Sequence, residues 1–167
     1  SSALAINVKR DLEEVLVAME GFADSSVIIS SSLGLLGNLS SSSTTTQSSE
    51  IVDPRLAKYA LPTILHGMKE HRDDVELYMK GCKAMSNLTQ NNHAAQQLLT
   101  CKEPLGLRII AEGLKSAQAG DTVLYDDEEI LRRLKLRAAA TQVLKNLSTH
   151  PSLEVKGKIA LDRKSTR

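Results

Sequence analysis

Aromatic side chains are nearly missing from this 167-residue chain: they make up 2%, with one Phe and no Trp. That scarcity disfavours an all-β sandwich, whose strands rely on β-branched and aromatic residues. Cysteine is scarce too. Cys82 and Cys101 cannot form a disulfide framework, and reduced thiols in a cytoplasmic protein are the expectation. Neither belongs to a Cys-x-x-Cys pair. The histidines His66, His71, His93 and His150 lack the spacing of three or four that puts two ligands on one helical face, so no metal site is predicted. A net charge of +1 leaves no global field to draw in nucleic acid. No stretch approaches the roughly eighteen apolar residues of a membrane span. The start, Ser1 to Leu4, has no basic segment leading into an apolar run, so no signal peptide is evident. No phosphate-cradling glycine loop, nucleophile elbow or kinase signature occurs. Nothing therefore proposes an enzyme or a cofactor. The acid pairs Asp73-Asp74 and Asp126-Asp127 each precede a helix, where capping is the expected role rather than acid–base chemistry.

What the chain does contain is a pattern used three times. Residues 32–40, 81–89 and 140–148 align on Asn38, Asn87 and Asn146. Each Asn is followed by Leu and then by a hydroxyl residue. Apolar pairs precede it (Leu35-Leu36, Ala84-Met85, Val143-Leu144). Six residues earlier stands a small residue (Ser32, Gly81, Ala140), and ten earlier an apolar one (Ile28, Leu77, Leu136). These offsets trace one face of a helix, and a strand would alternate with period two. The small residue permits close approach of a neighbouring helix. One amphipathic helix in three copies is the signature of a helical solenoid. The intervals between the asparagines exceed the about 40–47 residues of armadillo and HEAT units, so each is expected to hold an insertion.

Taken in order, residues 4–20 are predicted to be a helix with Val8, Leu12, Val15, Leu16 and Met19 on its apolar face, and Gly21 as its stop. Asp24 to Ser26 offer a cap for the helix that carries Asn38. Gly34 and Gly37 weaken that helix by about 1 kcal/mol each relative to Ala. Residues 40–49 are nearly all Ser and Thr, which predicts a flexible loop. A short helix over 50–60 is expected, capped by Asp53 with Pro54 in its first turn, and then a second helix opened by Leu61-Pro62. Asp73 or Asp74 caps the Asn87 helix, and residues 90–92 end it. A short helix over 93–101 and a Pro104-opened helix follow. A second insertion lies near 116–129. The helix over 128–148 is predicted to carry the pairs Glu128–Arg132 and Glu129–Arg133. His150-Pro151 ends it, and 152–167 looks like the first helix of another unit. The array begins and stops mid-repeat, which points to an excerpt of a longer protein or to unusual caps.

The order short helix, Pro-initiated helix, long helix ending in apolar-apolar-x-Asn-Leu-Ser/Thr resembles the armadillo repeat. The resemblance implies an all-α, right-handed α-solenoid of about three repeats. Its units would be a partial repeat over 1–40, a loop over 41–49, a second repeat over 50–92, a third over 93–150, and the start of a further repeat or a cap over 151–167. In that family the third helices line a concave groove that binds an extended peptide or a partner helix. Carried over, the resemblance implies partner-binding residues Asn38, Asn87 and Asn146, with Gly34, Lys83 and Gln142 one turn earlier and Lys80 beside them. Asn87 and Lys83 are expected to contribute most. The Trp that nuclear-import adaptors place at the earlier position is missing, and the nearby charges are Lys80, Lys83 and Lys145. A basic groove suits an acidic or neutral segment, so recognition of basic nuclear signals is not expected. An alternative role for the asparagines is structural: an amide near a helix end can bond backbone in the next turn or repeat. All three also match the glycosylation acceptor Asn-x-Ser/Thr, which follows from the repeat and belongs on loops of secreted proteins rather than on a packed helix. The expected function is a non-enzymatic protein-binding module in the cytoplasm, with no cofactor, nucleic acid or membrane partner. The alternative is a self-associating segment of a longer solenoid, joined through uncapped ends.

Overall fold

The computed structural model describes residues 2–42, 54–102, 105–118, 126–152 and 159. Seven α-helices and one π-helical turn account for the regular structure, with no strand among the described residues. The helices are α1 (Ser2–Gly21), α2 (Ser26–Ser42), α3 (Pro54–Glu70), α4 (Val75–Thr89), α5 (His93–Gln97), α6 (Gly106–Gln118) and α7 (Asp127–Ser148). The π-turn, Leu98–Lys102, continues directly from α5. None of the described helices is long and apolar enough to cross a membrane.

The chain's short polar residues start and stop these helices. Ser25 Oγ accepts the Ile28 N–H (3.4 Å) at the head of α2. Asp74 accepts the Leu77 N–H (2.9 Å) at α4, Asn92 the Ala95 N–H (3.0 Å) at α5, and Asp126 the Glu129 N–H (2.8 Å) at α7. Each bond satisfies a donor that the helix leaves unpaired. Past the end of α4, Asn91 turns the chain with φ 53°, a left-handed conformation that Asn tolerates better than most side chains. The predicted pairs Glu128–Arg132 and Glu129–Arg133 form on α7.

Packing places α4 between α2 and α7, and α3 between α1 and α6. One apolar cluster runs through all of these helices and includes Ile159. The repeated stripe is buried at all five positions on α4, Met85 included, and at four of five on α7, where Leu144 is half-buried. Leu77, Gly81, Ala84 and Leu88 are buried on α4, and Leu136, Ala140, Val143 and Leu147 on α7. Gly81 shows what the small position is for. A Cβ there would overlap Met68 Sδ of α3 and lie 2.8 Å from Met68 Cγ.

The structure departs from the sequence expectation in several places. Pro62 does not open a new helix; it lies inside α3, which runs unbroken from Pro54. Pro removes one backbone donor and costs about 3 kcal/mol or more in a helix interior. Against that stands a continuous stripe of Ala57, Leu61, Ile64 and Met68, all fully buried, which two helices meeting at an angle would split. Thr63 Oγ1 donates to the Tyr59 carbonyl (3.3 Å) just beside the proline. The second unit thus has two described helices rather than three. Helix α2 also continues two residues into the expected Ser/Thr loop, and Ser40 Oγ bonds back to the Leu36 carbonyl. The rest of that loop (43–49), residues 50–53 of the expected short helix, the core of the second insertion (119–125) and most of the segment after residue 152 lie outside the described residues.

The third departure concerns α2 itself. Leu35, aligned with Ala84 and Val143, is 52% exposed. Helix α2 buries Ile29 and Leu33, equivalent to the exposed Arg137 and Thr141 of α7, together with Ser32 and Leu36 of the stripe, so it is rolled relative to α7. It has α1 and α4 for neighbours, whereas α4 is flanked on both sides. With no described helix on its outer flank, α2 settles where its apolar residues meet α1 and α4 best.

Candidate interaction face of the asparagine-bearing helices

The three asparagines sit near the C-terminal ends of the three neighbouring helices, and two of them make the same bond. The Asn87 side-chain N–H donates to the Gly37 carbonyl of α2 (2.7 Å). The Asn146 N–H donates to the Ser86 carbonyl of α4 (2.8 Å) and lies 3.3 Å from Thr89 Oγ1. Gly37 immediately precedes Asn38, and Ser86 immediately precedes Asn87. The step from α2 to α4 is therefore repeated, in register, from α4 to α7. The Ser86 carbonyl also accepts the Gln90 N–H (3.1 Å), so the Asn146 amide uses the remaining acceptor capacity of a backbone oxygen. Burial grows along the row: Asn38 is exposed, Asn87 half-buried and Asn146 only 8% exposed. Gln142 donates to Asn146 Oδ1 (2.9 Å) and holds the amide in that orientation.

Lys80 spans the α2–α4 gap. Its ammonium donates to Ser30 Oγ (3.0 Å) and pairs with Glu76 (2.9 Å). That contact holds the Glu76 carboxyl below its usual range, through the hydrogen bond first and the charge second. The Lys80 stem fits beside Gly34, where a Cβ would be 3.8 Å from Lys80 Cδ. Lys83 lies along Gly37 in the same way, its Cγ 3.9 Å from a Cβ built there. The glycines of α2 thus accept lysine stems from α4, where the sequence suggested that both weaken the helix and that Gly34 stands on the partner-binding face.

Three outward stripes follow from these contacts. Val27, Ser31, Gly34 and Asn38 run along α2; Glu76, Lys80, Lys83, Asn87 and Gln90 along α4; Leu131, Lys135, Ala138, Gln142 and Lys145 along α7. Each follows the alternating four-and-three spacing of one helical face, and each residue is exposed or half-buried. All seven residues singled out from the sequence (Gly34, Asn38, Lys80, Lys83, Asn87, Gln142 and Asn146) lie on or beside these stripes. Asn146 is turned inward from its stripe.

A polar cluster beneath the row was not anticipated. Gln96 of α5 is fully buried and donates to the Thr89 carbonyl (2.8 Å) and to Thr149 Oγ1 (3.4 Å). Thr149 Oγ1 donates in turn to the Asn146 carbonyl (2.7 Å). His150 is buried with its ring edge-on to His93, centroids 5.3 Å apart, and its Nδ1 accepts the Ser152 N–H (3.1 Å). The available signal was the placement of Asn92 and Gln96 one helical turn apart, directly after the Asn87 helix.

At the opposite end of the same helices an open cleft of about 660 Å³ lies between the heads of α2, α4 and α7 and the α3–α4 turn. Its guanidiniums are engaged: Arg133 with Glu129 and the Ser116 carbonyl, Arg132 with Glu128, and Arg72 with the Lys69 carbonyl. No group of three metal-ligating side chains occurs among the described residues. The nucleophiles with displaced titration are displaced away from reactivity. Burial pushes the Cys82 thiol up to about 12. Burial, with the Glu112 carboxylate second, pushes the Tyr78 phenol up to about 12. What the geometry defines is an all-helical packing with one ordered polar face. Comparison with known proteins adds no relative: no family model, no curated protein and no solved structure matches the chain.

Proposed function

We propose that this chain is a non-enzymatic protein-interaction module built from about three armadillo-type repeats in a right-handed solenoid. The stripes of α2, α4 and α7 would form the groove that receives an extended peptide or a partner helix. The observation that carries this reading is the twice-made bond from an asparagine amide to the carbonyl preceding the previous asparagine. A repeated register is what keeps side chains on successive helices in line, and a line of side chains at helix spacing is what an extended segment can follow. On this reading the amides of Asn87 and Asn146 serve chiefly to hold the face together. Contact with the partner falls to Gly34, Asn38, Lys83 and Gln142, with Lys80 bracing the α2 side. A cytoplasmic setting fits free Cys82 and Cys101.

A photo-crosslinking residue at Lys83 or Gln142, compared with one at Lys69 or Lys115 on α3 and α6, tests the reading. Protein adducts should concentrate on the first pair. Equal labelling at all four positions would count against a dedicated face.

The second reading is self-association, and it has its own observation. Ile130 and Leu134 on α7, and Leu35 on α2, are exposed apolar side chains on the two outer helices of the row. Sedimentation equilibrium would favour this reading by a mass that rises with concentration and returns to monomer when Ile130 and Leu134 are both replaced by Ser.

A further inference from the structure

The charges on the asparagine-bearing helices are sorted along their length. Helix α2 has no charged residue, and the only acids of α4 and α7 lie in their first turns: Glu76, Asp127, Glu128 and Glu129. Beyond those turns every charge is positive. Lys80 is neutralised by Glu76, and Arg132 and Arg133 by Glu128 and Glu129. Lys83, Lys135 and Lys145 are exposed, stand on the outward stripes, and make no ion pair with any described residue. The other layer is not sorted this way: α6 pairs Arg108 with Glu112, and α1 pairs Arg10 with Glu14. The chain as a whole is only +1, so this positive strip is a local feature of one face. Leu131 (50% exposed) stands one turn before Lys135.

We infer that the natural occupant of this face is an acidic peptide segment. The inference rests on the groove reading above and names the chemistry of its partner. Unpaired cations in a row attract carboxylates and discriminate against basic segments, since like charges brought together cost several kcal/mol. Packed helices lie about 8–10 Å apart, so Lys83 on α4 and Lys145 on α7, one turn from the Gln142 that aligns with Lys83, are separated by about three residues of extended chain at roughly 3.3 Å each. Acidic residues about three apart match that spacing. A nucleic acid fits less well. Single-strand binding uses aromatic platforms for the bases, and the exposed aromatics among the described residues, Phe22 and Tyr59, are on neither α2, α4 nor α7.

The test is selection from a random peptide library on the intact chain, followed by affinity measurement on the double variant Lys83→Glu/Lys145→Glu. Both lysines are exposed, and circular dichroism with thermal unfolding checks that the variant is folded. Expected are enriched sequences with Asp or Glu about three residues apart. Their affinity should fall at least about tenfold in the double variant and should fall with added salt. Enrichment of neutral or basic sequences, or undiminished binding of acidic ones by the variant, overturns this inference and leaves the groove reading intact. Lysine-dependent retention of a single-stranded oligothymidylate with no acidic peptide selected overturns it in favour of nucleic acid. No selected peptide at all, or chemical-shift changes confined to α1, α3 and α6, overturns both.

Discussion

Helices α2 and α7 carry the same motif at the two outer positions of one row, yet they use it differently. On α7 four of the five stripe residues are buried and Asn146 is drawn into the seam with α4. On α2 the stripe is rolled, Leu35 faces outward and Asn38 is exposed. The motif is a proposal about a face; the neighbours decide which way it turns. α7 is clamped by α4 on one side and α6 on another, with Arg133 reaching the Ser116 carbonyl. α2 leans on α1 and α4 and tolerates two glycines because their empty space takes the stems of Lys80 and Lys83.

Core truncations sharpen the contrast most. Leu136→Ala removes a fully buried side chain of α7 and should cost about 2–5 kcal/mol. Leu35→Ala, in the stripe of α2, should stay within about 0.5 kcal/mol in the same denaturant titration. Similar losses at both sites would show that α2 is not rolled. The asparagines come next. Asn146→Ala removes a buried amide with its bonds to the Ser86 carbonyl and Thr89 Oγ1 and should cost about 1–3 kcal/mol. Asn38→Ala, at an exposed site, should again be within about 0.5 kcal/mol.

Alkaline titration probes the α4 side of the comparison. Cys82 and Tyr78 both sit on α4, with thiol and phenol raised from 9.0 and 10.0 to about 12. Raised values mean that the folded state holds protons which the unfolded chain releases. Their contribution is fully present below about pH 9 and is lost as pH rises towards 12. Hydrogen exchange should therefore show α4 losing protection through this window, and Tyr78→Phe should flatten part of the loss. A pH-independent profile would contradict the burial of these groups. The smallest effect is a gain. Gly34→Ala places a methyl in ordinary contact with Lys80 Cδ at 3.8 Å and should raise stability by about 0.5–1 kcal/mol. A loss there would mean that the lysine stem lies closer to α2 than described.

Much of the helical layout was legible in the sequence, because caps and periodicity are local. Asp74 and Asp126 cap where their position before an apolar run says they should, and the stripes of α4 and α7 match their spacing. What was not legible depends on distant residues. Pro62 normally signals a helix start, but the unbroken burial of Ala57 to Met68 kept α3 whole. Leu35 sits in register by sequence, yet α2, with no described helix on its outer flank, turned it out. The widening of the α5 segment into a π-turn, and the burial of Gln96 beneath it, follow from how that segment meets Thr89 and Thr149. For the candidate face, the positions could be found from the repeat, but not their division of labour. Only coordinates could show that Asn87 and Asn146 are engaged with neighbouring backbone while Lys83 and Gln142 stay exposed.

The account turns on the repeated bond between an asparagine amide and the preceding helix. Water-exchange NMR of the side-chain amides tests it most directly. Asn87 and Asn146 Nδ2 protons should exchange with solvent much more slowly than those of exposed Asn91, with Asn146 the slowest of all. Exchange of the Asn87 and Asn146 amides as fast as that of Asn91 would mean that the helices are not tied in register, and the row of stripes would no longer be a surface set by the repeat.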